Sequence, residues 1–500
     1  MAFGWRDVGP SVAVTYQHAR ARGASWRWTG ALWLFAAALT GFACGFPNPR
    51  DCADGTCTDP SRPFCDQDGA IAGFDLTCIA VSCTPKQVAA CRGDQAVTCN
   101  DTGTNYDLIS CPLGCDLAAG GCRACASDSQ CGNPQPVCDA VTGSCRVCRS
   151  DDECASKVCD SAAGTCVPES FIVYASPTGF GRWLLSQPCQ LDQAVDVAVH
   201  SGPVTLRMLP GLYQQSLDVR VATVQPLKVV ATGATIAPGV SPAIVIRDGA
   251  NVAVRGVSTM AGSHLACGAA NSTPSALSLQ DASLVTLGDS SATISIARCS
   301  VIIASTDLSL NASEIAINTD NDAMLQADRF HIHGDNTSHI MTHASNVTMR
   351  MTNSLFEDVL LDLNTSDVVG PGSSFSFAFD TFILRYTSLD FGIGASAYQT
   401  VYFENDIIAA LGSFDAVNGS HCQFGNSLLS NQSSPLPGTF VRDPQFVDVV
   451  MRNFHLLPSS SAVDAAIPPS QGLSSTHDFD GVPRPQGVKP DIGAYELAPR

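Results

Sequence analysis

The stretch Ile294-Ser295-Ile296, Val301-Ile302-Ile303, Leu308-Ser309-Leu310 and Ile315-Ala316-Ile317 decides the fold. Most of these runs alternate apolar with small or polar residues, the period-two pattern of a strand with one buried face. They begin at 294, 301, 308 and 315, so only a few residues remain for each turn. A chain of hairpins would need turn residues such as Asn-Gly at every connection, and these are mostly absent. Three strands with their turns then make a unit of about 21 residues, 294 to 315. Such a unit reads as one solenoid coil, with each strand stacked in parallel on its counterpart one coil earlier.

The pattern extends both ways. Ala243-Ile244-Val245-Ile246, Val252-Ala253-Val254, Leu277-Ser278-Leu279 and Val347-Thr348-Met349 belong to it. Ser, Thr, Asn and Ala at the alternate positions suit the outer faces of a long sheet. Stacking hides all but the terminal edges. A β-sandwich or propeller is the structural alternative.

Five hundred residues are too many for one ordinary core, which fits a repeat or several domains. With 45% hydrophobic and 15% charged residues, the chain has ample material to fold. A net charge of -19 and no Lys/Arg cluster after Arg27 argue against a nucleic-acid binder, which needs such clusters to neutralise phosphates.

Residues 1–43 read as a signal peptide. Arg20, Arg22 and Arg27 precede the apolar run Thr29 to Ala43, which is short for a membrane span. Gly41-Phe42-Ala43 fits a small-x-small cleavage site, and Cys44 follows it directly, like the lipidated first cysteine of bacterial lipoproteins. Gly41 departs from the Leu or Val usual in such boxes. Cysteine parity supports lipidation at Cys44: from Cys44 to Cys166 there are 19 cysteines, and removing Cys44 leaves an even 18.

Residues 44–168 are cysteine-rich and poor in apolar runs, so their folding relies on disulfides. Cys125, Cys131, Cys138 and Cys145 form a module that Cys148, Cys154, Cys159 and Cys166 repeat, each with a Gly two residues before its last cysteine. Cys52, Cys57, Cys65 and Cys78 form a looser copy. Between them lies a six-cysteine unit of Cys83, Cys91, Cys99, Cys111, Cys115 and Cys122. Zinc is the rival reading at Cys122-x2-Cys125 and Cys145-x2-Cys148, but the region holds no His and export favours disulfides. Spacing does not decide the pairing.

Two segments carry a family resemblance. Ile172-Val173-Tyr174-Ala175-Ser176-Pro177, Pro188-Cys189-Gln190-Leu191-Asp192-Gln193-Ala194-Val195 and Leu209-Pro210-Gly211-Leu212-Tyr213 resemble the opening of right-handed parallel β-helices of the pectate-lyase-like superfold. There a helix over the Leu-x-x-Ala-Val stretch caps the open end. Asp443-Pro444-Gln445-Phe446-Val447-Asp448, Phe454 to Asp464, Asp478-Phe479-Asp480-Gly481-Val482-Pro483-Arg484-Pro485 and Asp491-Ile492-Gly493-Ala494-Tyr495-Glu496 resemble the C-terminal part of bacterial choice-of-anchor Q domain proteins. The resemblance covers roughly 171–497 and implies an exported right-handed β-helix, but no reaction. It places the β-helix over 169–445 and its C-terminal end over 446–500. Many relatives end in a sorting tail. No apolar or basic tail precedes Arg500, so anchoring is expected from Cys44.

The candidate chemistry is sparse. His331 and His333 lie two apart, so on a strand they share a face. With Asp320, Asp328, Asp335 or His339 they could supply a general base or hold a divalent metal; a solvated face of one coil is the plainer reading. His343 and Asp322 lie in the same stretch. Asn318-Thr319-Asp320 echoes the first catalytic motif of polygalacturonases, whose other motifs are absent in order, and glycoside hydrolysis needs two carboxylates. Arg329, Arg350 and Arg385 are lyase bases by residue type alone. Asp478-x-Asp480-Gly481 starts like a calcium loop, but Lys489 stands where an EF-hand needs Glu, and an Asp-stabilised turn fits better. Phe375, Phe377, Phe379, Phe382, Tyr386, Phe391, Tyr398, Tyr402 and Phe403 could grip sugar rings or form an internal ladder.

The expectation is a monomeric exported surface lipoprotein, outer-membrane or cell-surface, or else freely secreted. Its β-helix binds polysaccharide or another surface component, with no cofactor beyond a possible calcium. The alternative is a polysaccharide lyase or glycoside hydrolase on the same scaffold.

Overall fold

The computed structural model describes residue 52 and residues 54–498, except 119, 202–203, 224, 240–241, 261–264, 269–272, 286–292, 311–314, 321, 343–345, 363–372, 387–388, 391–400 and 419–421. Side chains at 315–316, 335–339, 341–342, 362, 389–390 and 418 also lie outside it. The signal segment 1–43, Cys44, His343, Phe391 and Tyr398 therefore fall outside the described residues, as do the side chains of Asp335 and His339.

Two compact units result. One takes in the described residues to Lys86 with Cys99–Tyr106, the other Gln87–Thr98 and Asp107 onward. In the first, disulfides join Cys52–Cys65, Cys57–Cys78 and Cys83–Cys99. In the second they join Cys91–Cys115, Cys111–Cys122, Cys125–Cys138, Cys131–Cys145, Cys148–Cys159 and Cys154–Cys166. All eighteen expected cysteines are thus paired, and both zinc-like spacings are split between different disulfides. Each four-cysteine module joins its first cysteine to the third and its second to the fourth. The repeated glycine has a reason. Gly143 and Gly164 turn their hairpins at φ +61° and +67°, and a Cβ at Gly164 would lie 2.7 Å from the Val147 side chain.

From Ile172–Ala175 to Ser427–Ser430 the strands of the main sheet pair in parallel, each with its counterpart one coil away. Val254, Leu279, Ile303, Ala327 and Met351 are successive register partners, 24 or 25 residues apart. The step is 26 where Met351 meets Phe377 and Phe377 meets Phe403. Through these coils the repeat is therefore longer than the 21 residues that the sequence suggests, although the last step, Phe403 to Phe424, is 21. The Val301 and Leu308 runs are one strand, Cys299–Ser309, bent at Ser305 (φ +48°). Cys267 and Cys299 form a further disulfide between coils.

The bend at Ser305 recurs in every coil around it. Gly256, Asp281, Ser305, Arg329, Asn353, Phe379, Asn405 and Asn426 follow at coil intervals, all with φ between 48° and 75°. This left-handed corner turns the chain from one sheet to the next. The residue after each corner points inward: Val257, Ala282, Thr306, Phe330, Ser354, Asp380, Asp406 and Ser427 are all buried. In the later coils this inward column is polar. Asp380 accepts the Ser354 amide (2.6 Å), Asp406 accepts that of Asp380 (2.7 Å), and the Ser427 hydroxyl lies 3.3 Å from the Asp406 amide.

The remaining core is apolar. Phe356 stacks on Phe382 at 4.4 Å, and Phe403 lies between Phe377 and Phe424 at 5.1 and 5.3 Å. Phe375, Phe377, Phe382 and Phe403 are internal ladder residues, so they are closed to sugar. Helix Leu191–His200 packs Leu191, Ala194, Val195 and Ala198 against the first coil, as a cap should. Tyr213 anchors that coil through its hydroxyl to Ala175 O and Leu209 O.

The coil ladder ends at Thr439–Val441. Residues after it do not continue the coil but lie along its flank, with Phe446, Phe454, Ile492 and Tyr495 packed on Leu355, Phe379, Ile383 and Ile407. The corner asparagines hold this segment. Asn353 donates to Ser475 Oγ (2.6 Å), Asn405 to Ile467 O (2.8 Å) and Asn426 to Ala465 O (2.8 Å). The stretches 478–485 and 491–496 build its interior. Arg484 and Glu496 form a fully buried ion pair at 3.0 Å, and Asp478 accepts the amides of Val482 (2.7 Å) and Glu496 (2.8 Å).

Burial, and then the Asp380 charge, pushes the Asp406 carboxyl well above the usual carboxylate range. A carboxyl raised in the fold stabilises fully below its unfolded value of roughly 3.9, and this contribution is lost as pH rises through the folded value. Asp406→Asn should therefore melt higher than wild type at pH 7.5 and lose that advantage at pH 4, measured by thermal denaturation. No gain at pH 7.5 would mean that Asp406 carries its charge without cost.

Candidate functional site

Strand Met324–Thr342 carries the sequence candidates around a corner. Arg329 has φ +53°, so Asp328 before it and His331 after it lie on different outer faces. His331 and His333 share a face, as expected, with rings parallel and 6.3 Å apart.

Coil stacking surrounds His331 with charge. Asp307 is its register partner one coil earlier, and Glu357 pairs with His333 one coil later. His331 Nδ1 lies 2.8 Å from Asp307 Oδ1, and Nε2 lies 2.9 Å from Glu357 Oε1. Burial opposes charging of the ring, but hydrogen bonds to Asp307 and Glu357 outweigh it, and the pKa is pushed up to about 9. With a carboxylate on each nitrogen, His331 is an imidazolium at neutral pH and presents no lone pair to a proton or a metal. Glu357, itself 1% exposed, also meets Arg385 at 3.2 Å and Arg452 at 3.7 Å. Burial raises the Glu357 pKa, but His331 and Arg452 more than reverse this and hold it below the usual value. Arg385 reaches Asp358 as well. Burial, then the Arg452 charge, lowers the His333 pKa, and an Arg452 guanidinium nitrogen lies against its ring nitrogens. Arg452 belongs to the C-terminal segment, as does Phe479, whose ring stands edge-on to His331 at 6.2 Å. The cluster thus seams that segment to the coils.

Asp320 is not brought to it in register. Thr319 pairs with Thr342, so Asp320 follows on another sheet, and its amide donates to Ile296 O at 2.7 Å. Asp322 accepts from Asn346 Nδ2 at 3.0 Å.

Asp328 lines an open polar cleft of ≈ 530 Å³ with Arg329, Thr352, Ser475, Thr476 and His477. Its Oδ1 accepts from Thr352 Oγ1 (3.0 Å) and Asn353 Nδ2 (2.8 Å), and its Oδ2 meets Arg329 Nε at 3.2 Å. Asp328 is the one carboxylate among the described residues lining the cleft. Arg350 is exposed on the neighbouring strand. The Asp478 turn holds its own backbone amides, in the manner of an Asp-stabilised turn.

Sequence reading missed Asp307, Glu357, Arg452 and the segment 474–477. The signal for the first two was the coil period: Asp307 precedes His331 by 24 residues and Glu357 follows His333 by 24.

No protein-family profile matches the chain, and no curated protein does. Among solved structures it is similar to the crystal structure of pectate lyase Pel9A, at 14% identity and a TM-score of 0.42, over 65% of this chain and 96% of that one. So slight a likeness carries no argument, and the fold rests on the strand pairing itself.

His331, raised in the fold, stabilises fully below its unfolded pKa of roughly 6.5, and that contribution is lost as pH rises through about 9. Wild type should lose on the order of 3 kcal/mol between pH 6.5 and 10. His331→Gln should lack that drop in urea titrations across the range. An unchanged drop in the variant would place the titration elsewhere.

Proposed function

We propose that the chain is an exported lipoprotein, anchored through Cys44, whose β-helix binds a polysaccharide of the cell surface or its surroundings without cleaving it. The observation that carries this is the polar cleft at Asp328, Arg329 and Thr352, open to solvent and edged by Ser475, Thr476 and His477. It offers hydroxyl, guanidinium, carboxylate and imidazole groups to the hydroxyls of a sugar, while hydrolysis by paired carboxylates needs a second acid there. The raised pKa and double engagement of His331 speak against the catalytic alternative that rests on it. Export is supported by the apolar run before Cys44 and by disulfide pairing throughout the cysteine-rich region. The resemblance of the C-terminal motif to choice-of-anchor Q proteins agrees with this, and its residues serve packing in this chain. Among the described residues no helix is long and apolar enough to cross a membrane.

The purified chain should be retained by at least one of chitin, cellulose, xylan and homogalacturonan, with or without calcium, and release no new reducing or unsaturated ends. Arg329→Ala should weaken retention about tenfold with the fold intact by circular dichroism. Cleavage of any of these polymers would replace binding with catalysis, and failure to be retained by all of them would point to a protein partner.

A further inference from the structure

The cleft at Asp328 shares its sheet face with a second opening. The second, of ≈ 220 Å³, lies near Ser278 and Gln280 and is walled by Ala162 of the last cysteine module and by Val167 just after it. Strand register joins them. Arg255, Gln280, Ala304, Asp328 and Thr352 are successive neighbours in one outward column. Ala253, Ser278, Ile302, Gln326 and Arg350 form the column beside it. Only the rung of Ile302 and Ala304 separates the two openings.

Both ends of the column from Arg255 to Thr352 are blocked by parts of the chain that are not coils. At the near end the module sits on the face: Asp160 pairs with Lys228 at 3.0 Å, and Asp151 pairs with Arg255 and accepts from Thr232 Oγ1 at 3.0 Å. Val158 of the module is buried with Ile172, Tyr174 and Val230. At the far end the column continues to Ala378 and Glu404, which are 0% and 5% exposed. Glu404 is covered by the C-terminal segment and accepts the amides of Ser470 (2.9 Å) and Gln471 (3.1 Å). Between these stops Ile302 is 44% exposed, and Gln280 and Arg350 are exposed.

We propose that this strip is a trough closed at both ends, which takes a short saccharide or the end of a chain and not the interior of a long polymer. The proposal rests on the glycan-binding reading above and narrows it. Four rungs from Gln280 to Thr352, roughly 4.8 Å apart, give an open length of about 14 Å. A polymer could not run straight along the column from Gln280 to Thr352 without meeting the module at one end or Ser470 over Glu404 at the other. The lining suits a sugar ring, which has an apolar face and a rim of hydroxyls. Ile302 and Ala304 offer apolar contact along the middle, while Gln280, Gln326, Asp328 and Thr352 offer hydrogen bonds beside it.

The test uses the full chain with short oligosaccharide ladders of chitin, cellulose, xylan and homogalacturonan, alongside the parent polymers with free and with chemically blocked ends. Short oligosaccharides should bind at least as tightly as their polymer per molecule, and blocking the polymer ends should weaken binding about tenfold. Ala304→Trp, on the outer face between the two openings, should weaken oligosaccharide binding by a similar factor with an unchanged melting temperature. Gln280→Trp, which fills the near opening, should do the same. End-blocked polymer bound as tightly as free-ended polymer would overturn the closed trough, as would normal binding by both tryptophan variants. If those results came with binding that Arg329→Ala still weakens about tenfold, the glycan reading would stand without the trough. If no saccharide bound wild type, both would fall.

Discussion

Each coil of a parallel solenoid must bring the chain back to its starting point one strand spacing further along the axis. In this chain the left-handed corner from Gly256 to Asn426 does this, once per coil. A positive φ costs most side chains about 1 kcal/mol or more, and it is tolerated here because stacked neighbours fix both flanking strands. The rest of the molecule is arranged around that corner. The residue after it enters the core, and the residue before it faces the outer sheet. Where the corner residue is asparagine, its amide reaches out and holds the C-terminal segment.

This links fold to surface. Asp328 and Thr352 face outward before their corners at Arg329 and Asn353, so the cleft falls where the corner column meets the docked segment. His331 and Glu357, past the same corners, are drawn beneath Arg452 and become part of the seam. Two groups of candidate residues a few positions apart in sequence thus have opposite fates: one opens to solvent, the other closes under charge. The module Cys148–Cys166 performs at the near end what the C-terminal segment performs at the far end. Both turn an open sheet face into a bounded one.

Much of the fold is legible in the sequence. The period-two runs identify the coils, the cysteine parity and spacing identify the modules, and Leu191–His200 forms the helix that the opening motif implies. The coil length is not legible from the runs alone. The bend at Ser305 splits one strand into two runs that look like separate strands, which makes the 294–315 unit seem a complete coil. That error of a few residues hides Asp307 and Glu357, because only the true period of about 24 aligns them with the two histidines. The paired Phe377 and Phe403 read equally well as surface or core until the register puts them inside. Contacts made by Arg452, Ser475 and Ser470 join residues more than 60 positions apart, and no local pattern encodes them.

The measurement that tests the bounded face most directly is zero-length carbodiimide cross-linking of the intact chain, read by peptide mass spectrometry. The sequence has four lysines, Lys86, Lys157, Lys228 and Lys489, so the products are few and unambiguous. Asp160 and Lys228 stand 3.0 Å apart across the contact that closes the near end. Their peptides should be recovered joined by an amide, and the yield should fall as salt rises. Absence of that product, with Lys228 freely modified by an amine reagent, would mean that the module does not rest on the sheet and that the face is open.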